Sequence, residues 1–374
     1  MRTRLMVLLS VGLLVSSLPA AAQFYTQHNL VSDDPAVPAD RFDPHLVNAW
    51  GLVSSATSPW WSANNGTGTS TLYDGNGVPR PLVPLVVTIP GAPTGTVFNG
   101  NAAAFIVRSG AAAGPARFIF ATEDGVIAGW NPAVQPTDAV IAADRSAAGA
   151  VYKGLAIDSA TAGTRLYATD FHNGAVDVFD ASFNLVGSFT DRRLPHGYAP
   201  FGIQNVNGTL YVTFARQDKA RHDDVPGKGR GFVDAFDTSG TLLRRVASRG
   251  QLNSPWGVAL APPTFGAFAN DLLIGNFGDG RITAFDPLSV RRNGEMQPKG
   301  QLRAADCSTL SIDGLWALQF GNGTGSGSKD TLYFTAGPDG ETHGLLGTLV
   351  PAAAPTNCSG HDDEGDDDQG GDDD

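Results

Sequence analysis

Pro255-Trp256-Gly257-Val258-Ala259-Leu260 is followed by a Pro/Gly/Ala-rich gap, then by Asp271-Leu272-Leu273-Ile274-Gly275-Asn276-Phe277-Gly278-Asp279-Gly280 and by Arg281-Ile282-Thr283-Ala284-Phe285-Asp286. Three short apolar runs are thus separated by turn-forming Gly, Asn and Asp, the pattern of consecutive antiparallel strands. The unit recurs in degraded form along almost the whole chain. A strand-built repeat of this length is the signature of a β-propeller blade.

Its last strand reappears as Val176-Asp177-Val178-Phe179-Asp180, Phe232-Val233-Asp234-Ala235-Phe236-Asp237, Val126-Ile127-Ala128-Gly129-Trp130-Asn131 and, more weakly, Thr71-Leu72-Tyr73-Asp74. The aromatic positions Tyr73, Trp130, Phe179, Phe236 and Phe285 are 57, 49, 57 and 49 residues apart. Each copy alternates apolar with small or polar residues, as a half-buried strand does. Each ends in Asp or Asn, which starts a turn by bonding the backbone ahead of it. The middle strand recurs as Leu166-Tyr167-Ala168-Thr169, Leu210-Tyr211-Val212-Thr213, Leu332-Tyr333-Phe334-Thr335 and Phe118-Ile119-Phe120-Ala121. The first recurs as Trp50-Gly51-Leu52-Val53, Gly154-Leu155-Ala156-Ile157, Phe201-Gly202-Ile203-Gln204 and Trp316-Ala317-Leu318-Gln319. Small residues beside an aromatic suit an innermost strand, where blades crowd the axis.

Six blades are expected, at about 48–90, 98–143, 152–191, 200–248, 254–304 and 314–350. The last has only three strands of its own. Gln27-His28-Asn29-Leu30-Val31-Ser32-Asp33 resembles the fourth strand of other blades and is expected to complete it. The expected fold is therefore all-β, a six-bladed β-propeller closed by its N-terminal strand, which removes an open sheet edge. The competing arrangement is an open sandwich of many strands.

The composition, 42% hydrophobic and 17% charged with 46 Gly and 24 Pro among 374 residues, fits a turn-rich β-protein large enough for a substantial core. Because the repeats run without a break, residues 23–350 are read as one domain. Met1-Arg2-Thr3-Arg4, the apolar Leu5 to Ser17, and Leu18-Pro19-Ala20-Ala21-Ala22 form a signal-peptide pattern over residues 1–22, too short for a membrane span. A secreted or periplasmic mature chain, with no membrane span, is expected. Residues 351–374 form an acidic, low-complexity tail that is expected to be disordered.

The formal net charge is −12; loss of Arg2 and Arg4 makes it −14, and nine acidic residues between His361 and Asp374 account for all but about −5 of that. Such a balance argues against nucleic acid as a partner. Cys307 and Cys358 flank the sixth blade and are the only cysteines. Two arrangements are open: a disulfide that pins the C-terminal end in an oxidising compartment, or two separate thiols.

In a propeller, the turns leading into first strands and those joining strands two and three open on one face. Chemically useful side chains collect there. Binding candidates are His45, Asn48, Lys153, Tyr198, His222, Asp223, Asn253 and His343. Metal-ligand candidates are Asp170, His172, Asp279 and Asp313, for a divalent cation such as calcium or zinc. Asp218, His222, Asp223 and Asp224 share one long insertion, 216–230, where carboxylates and imidazole suit a cation or an acid/base pair. Duller roles compete: Asp170, Asp279 and His172 as turn residues, Tyr198 as packing, the insertion as a solvated loop. The opposite face is blander, so a functional site is expected at the channel mouth. No Gly-x-Ser-x-Gly elbow, His-Glu-x-x-His, paired Cys-x-x-Cys or strand-linked Gly-x-Gly-x-x-Gly occurs. The usual serine-hydrolase, zinc and dinucleotide signatures are therefore missing.

Asn48-Ala49-Trp50-Gly51, Tyr152-Lys153-Gly154-Leu155, Thr169-Asp170-Phe171-His172-Asn173-Gly174, Gly197-Tyr198-Ala199-Pro200-Phe201, His222-Asp223-Asp224-Val225, Asn276-Phe277-Gly278-Asp279-Gly280 and Phe334-Thr335-Ala336-Gly337-Pro338 resemble a family of uncharacterised secreted bacterial proteins. That family is similar to six-bladed propellers of the NHL-repeat type. The resemblance spans roughly Asn29 to Val350. It implies the fold and export and supplies no catalytic residue.

Three functions fit these residues. One is a binding module taking a small molecule, glycan or protein partner at the polar mouth. Another is a metal-assisted enzyme, a lactonase-like hydrolase or a lyase, with its cation at the axial mouth. The third is a purely structural protein, in which apolar side chains should plug the channel mouth.

Overall fold

The computed structural model describes residues 24–81, 83–159 and 163–355. The signal segment, Cys358 and the tail beyond Pro355 lie outside the described residues. Six four-stranded antiparallel sheets form the blades, with inner strands Ala49–Val53, Pro93–Phe98, Tyr152–Asp158, Tyr198–Val206, Pro255–Leu260 and Leu315–Phe320. Each inner strand contacts the inner strand of the next blade, and the sixth returns to the first. The ring is thereby closed.

The seam is closed as the sequence suggests. Phe24–Ser32 pairs antiparallel with Leu345–Ala352, from Phe24↔Ala352 to Ser32↔Leu345, and becomes the outer strand of blade 6. A short parallel addition, Arg41–Phe42, extends that sheet. Blade 2 departs from expectation. Its inner strand is Pro93–Phe98, so the blade begins before residue 98. A separate hairpin, Ile106–Ser109 with Ala112–Pro115, sits between this strand and the next one, Phe118–Thr122. Pro93-Thr94-Gly95-Thr96 carries no aromatic–Gly pair, because small polar residues fill the place that Trp or Phe takes in blades 1, 4, 5 and 6.

Glycine sets the radius of the ring. An added Cβ would lie 2.5 Å from the Thr94 carbonyl oxygen at Gly51, 2.9 Å from that of Phe201 at Gly154, and 2.5 Å from that of Trp316 at Gly257. Gly95 and Gly202 meet the next blade in the same way, while blade 6 has Ala317. Without side chains here, inner backbones approach closely. Threonines tie them across blades. The Thr94 hydroxyl donates to the Tyr152 carbonyl (2.8 Å), that of Thr169 to Phe201 (2.7 Å), and that of Thr335 to Trp50. Between blades the core is aromatic and aliphatic, as where Trp61 stacks on Phe118 at 4.1 Å. Among the described residues no helix is long and apolar enough to cross a membrane.

Candidate functional site

Three inner strands are preceded by the same turn. Asn48, Ser254 and Gly314 stand two residues before Trp50, Trp256 and Trp316, with φ of 48°, 46° and 63°. Asn and Gly tolerate this left-handed conformation; Ser254 adopts it at a cost of about 1 kcal/mol. The turns aim three indoles at the axis. Trp50 and Trp316 stack at 3.6 Å, Phe277 also stacks on Trp316 at 4.0 Å, and Trp256 meets Trp50 and Trp316 edge-on at 6.2 and 5.7 Å. The channel is therefore plugged by aromatic rings. Below them, a void of about 20 Å³ between Leu155, Ile203, Val258 and Leu318 has room for about one water.

On the mouth side of this plug lies Lys153, the second residue of the inner strand of blade 3. Its side chain is 2% exposed, and its ammonium sits 5.3 Å from the Trp50 ring centroid. The ammonium donates to Glu123 of blade 2 and to Asp223 of blade 4, the latter at 3.2 Å. The belt continues in both directions. Glu123 accepts from the Asn65 amide (2.8 Å), Asn65 accepts from Asn48 (3.3 Å), and Asn48 also donates to Glu341 of blade 6 (2.8 Å). The Asn48 side-chain amide oxygen accepts the Trp316 indole N–H at 3.1 Å, and the Lys153 backbone carbonyl accepts that of Trp256 at 3.0 Å. Beyond Asp223, His222 Nδ1 lies 2.9 Å from its carboxylate. Asn253, ahead of blade 5, accepts the Gly227 N–H at 2.6 Å. Side chains from every blade but the fifth's strands are thus linked around the mouth.

Negative charge is in surplus here. Burial pushes the Glu341 carboxyl up; the Asn48 bond only partly offsets this, and the charges of Glu123 and Asp223 add to it. Burial likewise raises Asp224 to about 6, against the favourable effects of Ser254 and Lys153. Asp223, two-thirds exposed, goes the other way: the Lys153 ammonium and His222 outweigh its partial desolvation and lower it.

The structure brings together Asn48, Lys153, His222 and Asp223 of the binding candidates, with Asn253 at the edge. Tyr198 instead packs edge-on against Phe232 at 4.8 Å. His45 is exposed, beside blade 1's outer part, and His343 is held by Asp33 at 3.2 Å near the seam. The metal candidates do not converge. Asp170 clasps its own turn by accepting from the N–H groups of Val151 and Asn173 and the Asn173 amide. Asp279 accepts from the Asn276 amide and the Arg281 N–H, Asp313 from the Asp339 N–H, and the His172 carbonyl from Gln217. Among the described residues, the group whose ligand atoms lie within 4.8 Å of one another is Glu123, His222 and Asp223. Glu123, Asn65 and Glu341 were not among the binding or metal candidates read from the sequence, whereas Asp224 was noted within the 216–230 insertion. Their signal was position, since all four lie between second and third strands, where a buried lysine at the head of an inner strand needs counter-charge. Cys307 lies between blades 5 and 6; Cys358, with which it either pairs or not, is outside the described residues.

A separate groove of about 850 Å³ runs along the seam between blades 6 and 1, lined by His28, Asp40, Asp74, Arg80 and Tyr333 among others. Its charges are already paired, His28 with Asp40 and Arg80 with Asp74, and it shares no residue with the mouth.

No family model matches the chain. The uncharacterized protein R648 of Acanthamoeba polyphaga mimivirus is 33% identical over 325 residues, covering 83% of this chain and 76% of the relative. The uncharacterized protein L690 of the same virus is 33% identical over 341 residues, covering 86% and 85%. These relatives are viral, whereas the resemblance read from the motifs implied bacterial ones. Among solved structures, a streptogramin B lyase aligns with a TM-score of 0.49 at 12% identity, covering 87% of this chain and 97% of its own. A luciferin-regenerating enzyme aligns at 0.48 and 13%, covering 83% and 94%. Both are too distant to lend this chain an activity, and the propeller is established by its own strand pairing. At that identity and coverage of R648 and L690, the chain belongs to the same family as these two mimivirus proteins.

Proposed function

We propose that this chain is an exported propeller whose mouth binds a ligand carrying positive charge. One observation carries the reading. Four carboxylates, Glu123, Asp223, Asp224 and Glu341, gather from three blades around a single ammonium, Lys153, and two of them are pushed above the ordinary carboxylate range. A cation placed there relieves that repulsion. The aromatic plug makes the ligand a guest of the mouth surface, not of a through-channel. Export is supported by the leader-like pattern of residues 1–22. The test is calorimetric titration of the purified chain with zinc, calcium and a primary diamine near pH 7. One of them should bind, and Glu123→Gln with Asp223→Asn should weaken it about tenfold or more. Absence of binding by all three would overturn the reading.

The grouping of Glu123, His222 and Asp223 favours a second reading, a metal-assisted hydrolase or lyase. Two carboxylates and an imidazole suit zinc better than calcium, which takes six to eight oxygens. Such an ion would supply Lewis acidity. Lys153, bonded to two of the three, would have to yield its place or serve as a neighbouring proton donor. A stoichiometric ion in elemental analysis of the dialysed chain, lost in His222→Ala, would favour this reading over simple cation binding.

A further inference from the structure

The charges are unevenly spread. Residues 192–252, which form blade 4 and the connections on either side, hold ten Lys and Arg against five Asp and no Glu. The rest of the described span holds thirteen Lys and Arg against twenty-three Asp and Glu. Within blade 4, Arg245 is spent on Asp191 and Asp234, and Arg193 on Asp191. Arg192, Arg216, Lys219, Arg221, Lys228 and Arg249 are exposed. All six lie in, or at the end of, connections between outer and inner strands or between second and third strands, hence on the mouth face. Backbone bonds hold these connections together, as from Arg249 N–H to the Gly231 carbonyl at 2.8 Å. One sector of the rim of an acidic molecule is therefore basic.

The matching charge is in the same chain. Residues 356–374 contain nine Asp and Glu and no Lys or Arg. The described chain ends at Pro355, three residues past Leu345–Ala352. Ala352 pairs with Phe24, and Phe24 bridges to Arg303 of blade 5. The chain thus leaves beside blade 5, next to the basic sector, but at the end of a third strand and so towards the face opposite the mouth, where Tyr25 also bonds the Phe265 carbonyl of blade 5. Nineteen residues reach about 60 Å when extended, enough to round the edge of the ring and pass one blade to the mouth face. We propose that the acidic C-terminal segment docks on the basic rim of blade 4 in its own chain. The contact is coulombic, between exposed groups, and so is screened by salt. It stands independently of what the mouth binds.

The chain has five lysines; Lys153 is buried, while Lys219, Lys228, Lys299 and Lys329 are exposed on different blades. Zero-length carbodiimide cross-linking of the full chain, read by mass spectrometry, uses them as reporters. Tail carboxylates should join Lys219 or Lys228 within one molecule, in about fivefold excess over Lys299 and Lys329, and about 0.5 M salt should abolish the excess. Replacing Arg192, Arg216, Arg221 and Arg249 by Gln should do the same while circular dichroism shows the sheet intact. Cross-links spread evenly over the four lysines, or formed chiefly between molecules, would overturn the proposal.

Discussion

The two ends of the central channel are held by different chemistry. At the lower end, blades meet backbone to backbone, with Gly51, Gly95, Gly154, Gly202 and Gly257 letting each inner strand press against the next. At the mouth, they meet through charged and amide side chains strung from Glu341 to Asp223. The lower contacts suffice to set the ring's geometry, since they recur blade after blade and use no charge. The mouth is then free to carry an electrostatic surplus that ring closure does not require. If this division is right, substitutions should separate into those that damage the ring and those that damage only the mouth.

The plug between the two ends should be the most sensitive point. Trp316→Ala removes stacking on Trp50 and Phe277 and should cost about 3–5 kcal/mol in urea unfolding. Gly257→Ala tests the lower end: a methyl group 2.5 Å from the Trp316 carbonyl oxygen must displace backbone, at about 2–3 kcal/mol. A neutral result would mean that the blades are not held by close approach. Lys153→Met strands Glu123 and Asp223 without their cation. Because Asp223 is two-thirds exposed, the loss should be about 2 kcal/mol, below that for a fully buried pair. Should that variant prove as damaging as the plug variant, the mouth would be part of the scaffold after all.

Asp224 offers a finer probe. Its folded carboxyl titrates at about 6, above its unfolded value of 3.8, so its favourable contribution is complete below the unfolded value and is lost as pH rises towards 6. Asp224→Asn should flatten the decline in stability between about pH 4 and 6, by about 2 kcal/mol. Asp234, raised by burial to about 7, slopes the same way and remains in both proteins, so the difference isolates the mouth. Urea midpoints at several pH values give the comparison; an unchanged slope would remove Asp224 as a source of the surplus. Smallest in stability is His222→Ala. The half-exposed imidazole should contribute less than about 0.5 kcal/mol, yet its loss should weaken cation binding measurably by calorimetry.

Much of this was legible from the sequence, for reasons visible in particular residues. Blades advertised by an aromatic beside Gly, as in Trp256-Gly257, were placed to within a few residues. Pro93–Phe98 lacks that pair, has no apolar run in its place such as Gly154-Leu155-Ala156-Ile157 in blade 3, and is separated from its partner by an inserted hairpin. The face that would collect polar side chains followed from strand alternation alone, and Lys153, Asn48, His222 and Asp223 do meet there. What the sequence withheld was distance from the axis. Asp170 and Asp279 share that face, but their carboxylates turn back onto their own loops. Glu123, five residues beyond Phe118, points across to another blade. Two neighbouring acidic loops read alike in one dimension, and only the packing of adjacent blades decides which one reaches inward.

The seam strand has a consequence for the order of assembly. Phe24–Ser32 finds its partner in Leu345–Ala352, at the far end of the described chain. While the polypeptide is being made, this segment has no native sheet to join until the sixth blade arrives. Blades built from contiguous sequence can form earlier, by local pairing, but the ring stays an unfastened arc. The first of the described strands to be made is thus the last to be placed. Its fastening converts a row of separately formed sheets into one cooperative body, and joining the old termini while cutting the chain between two other blades would move that final event without altering a single inter-blade contact.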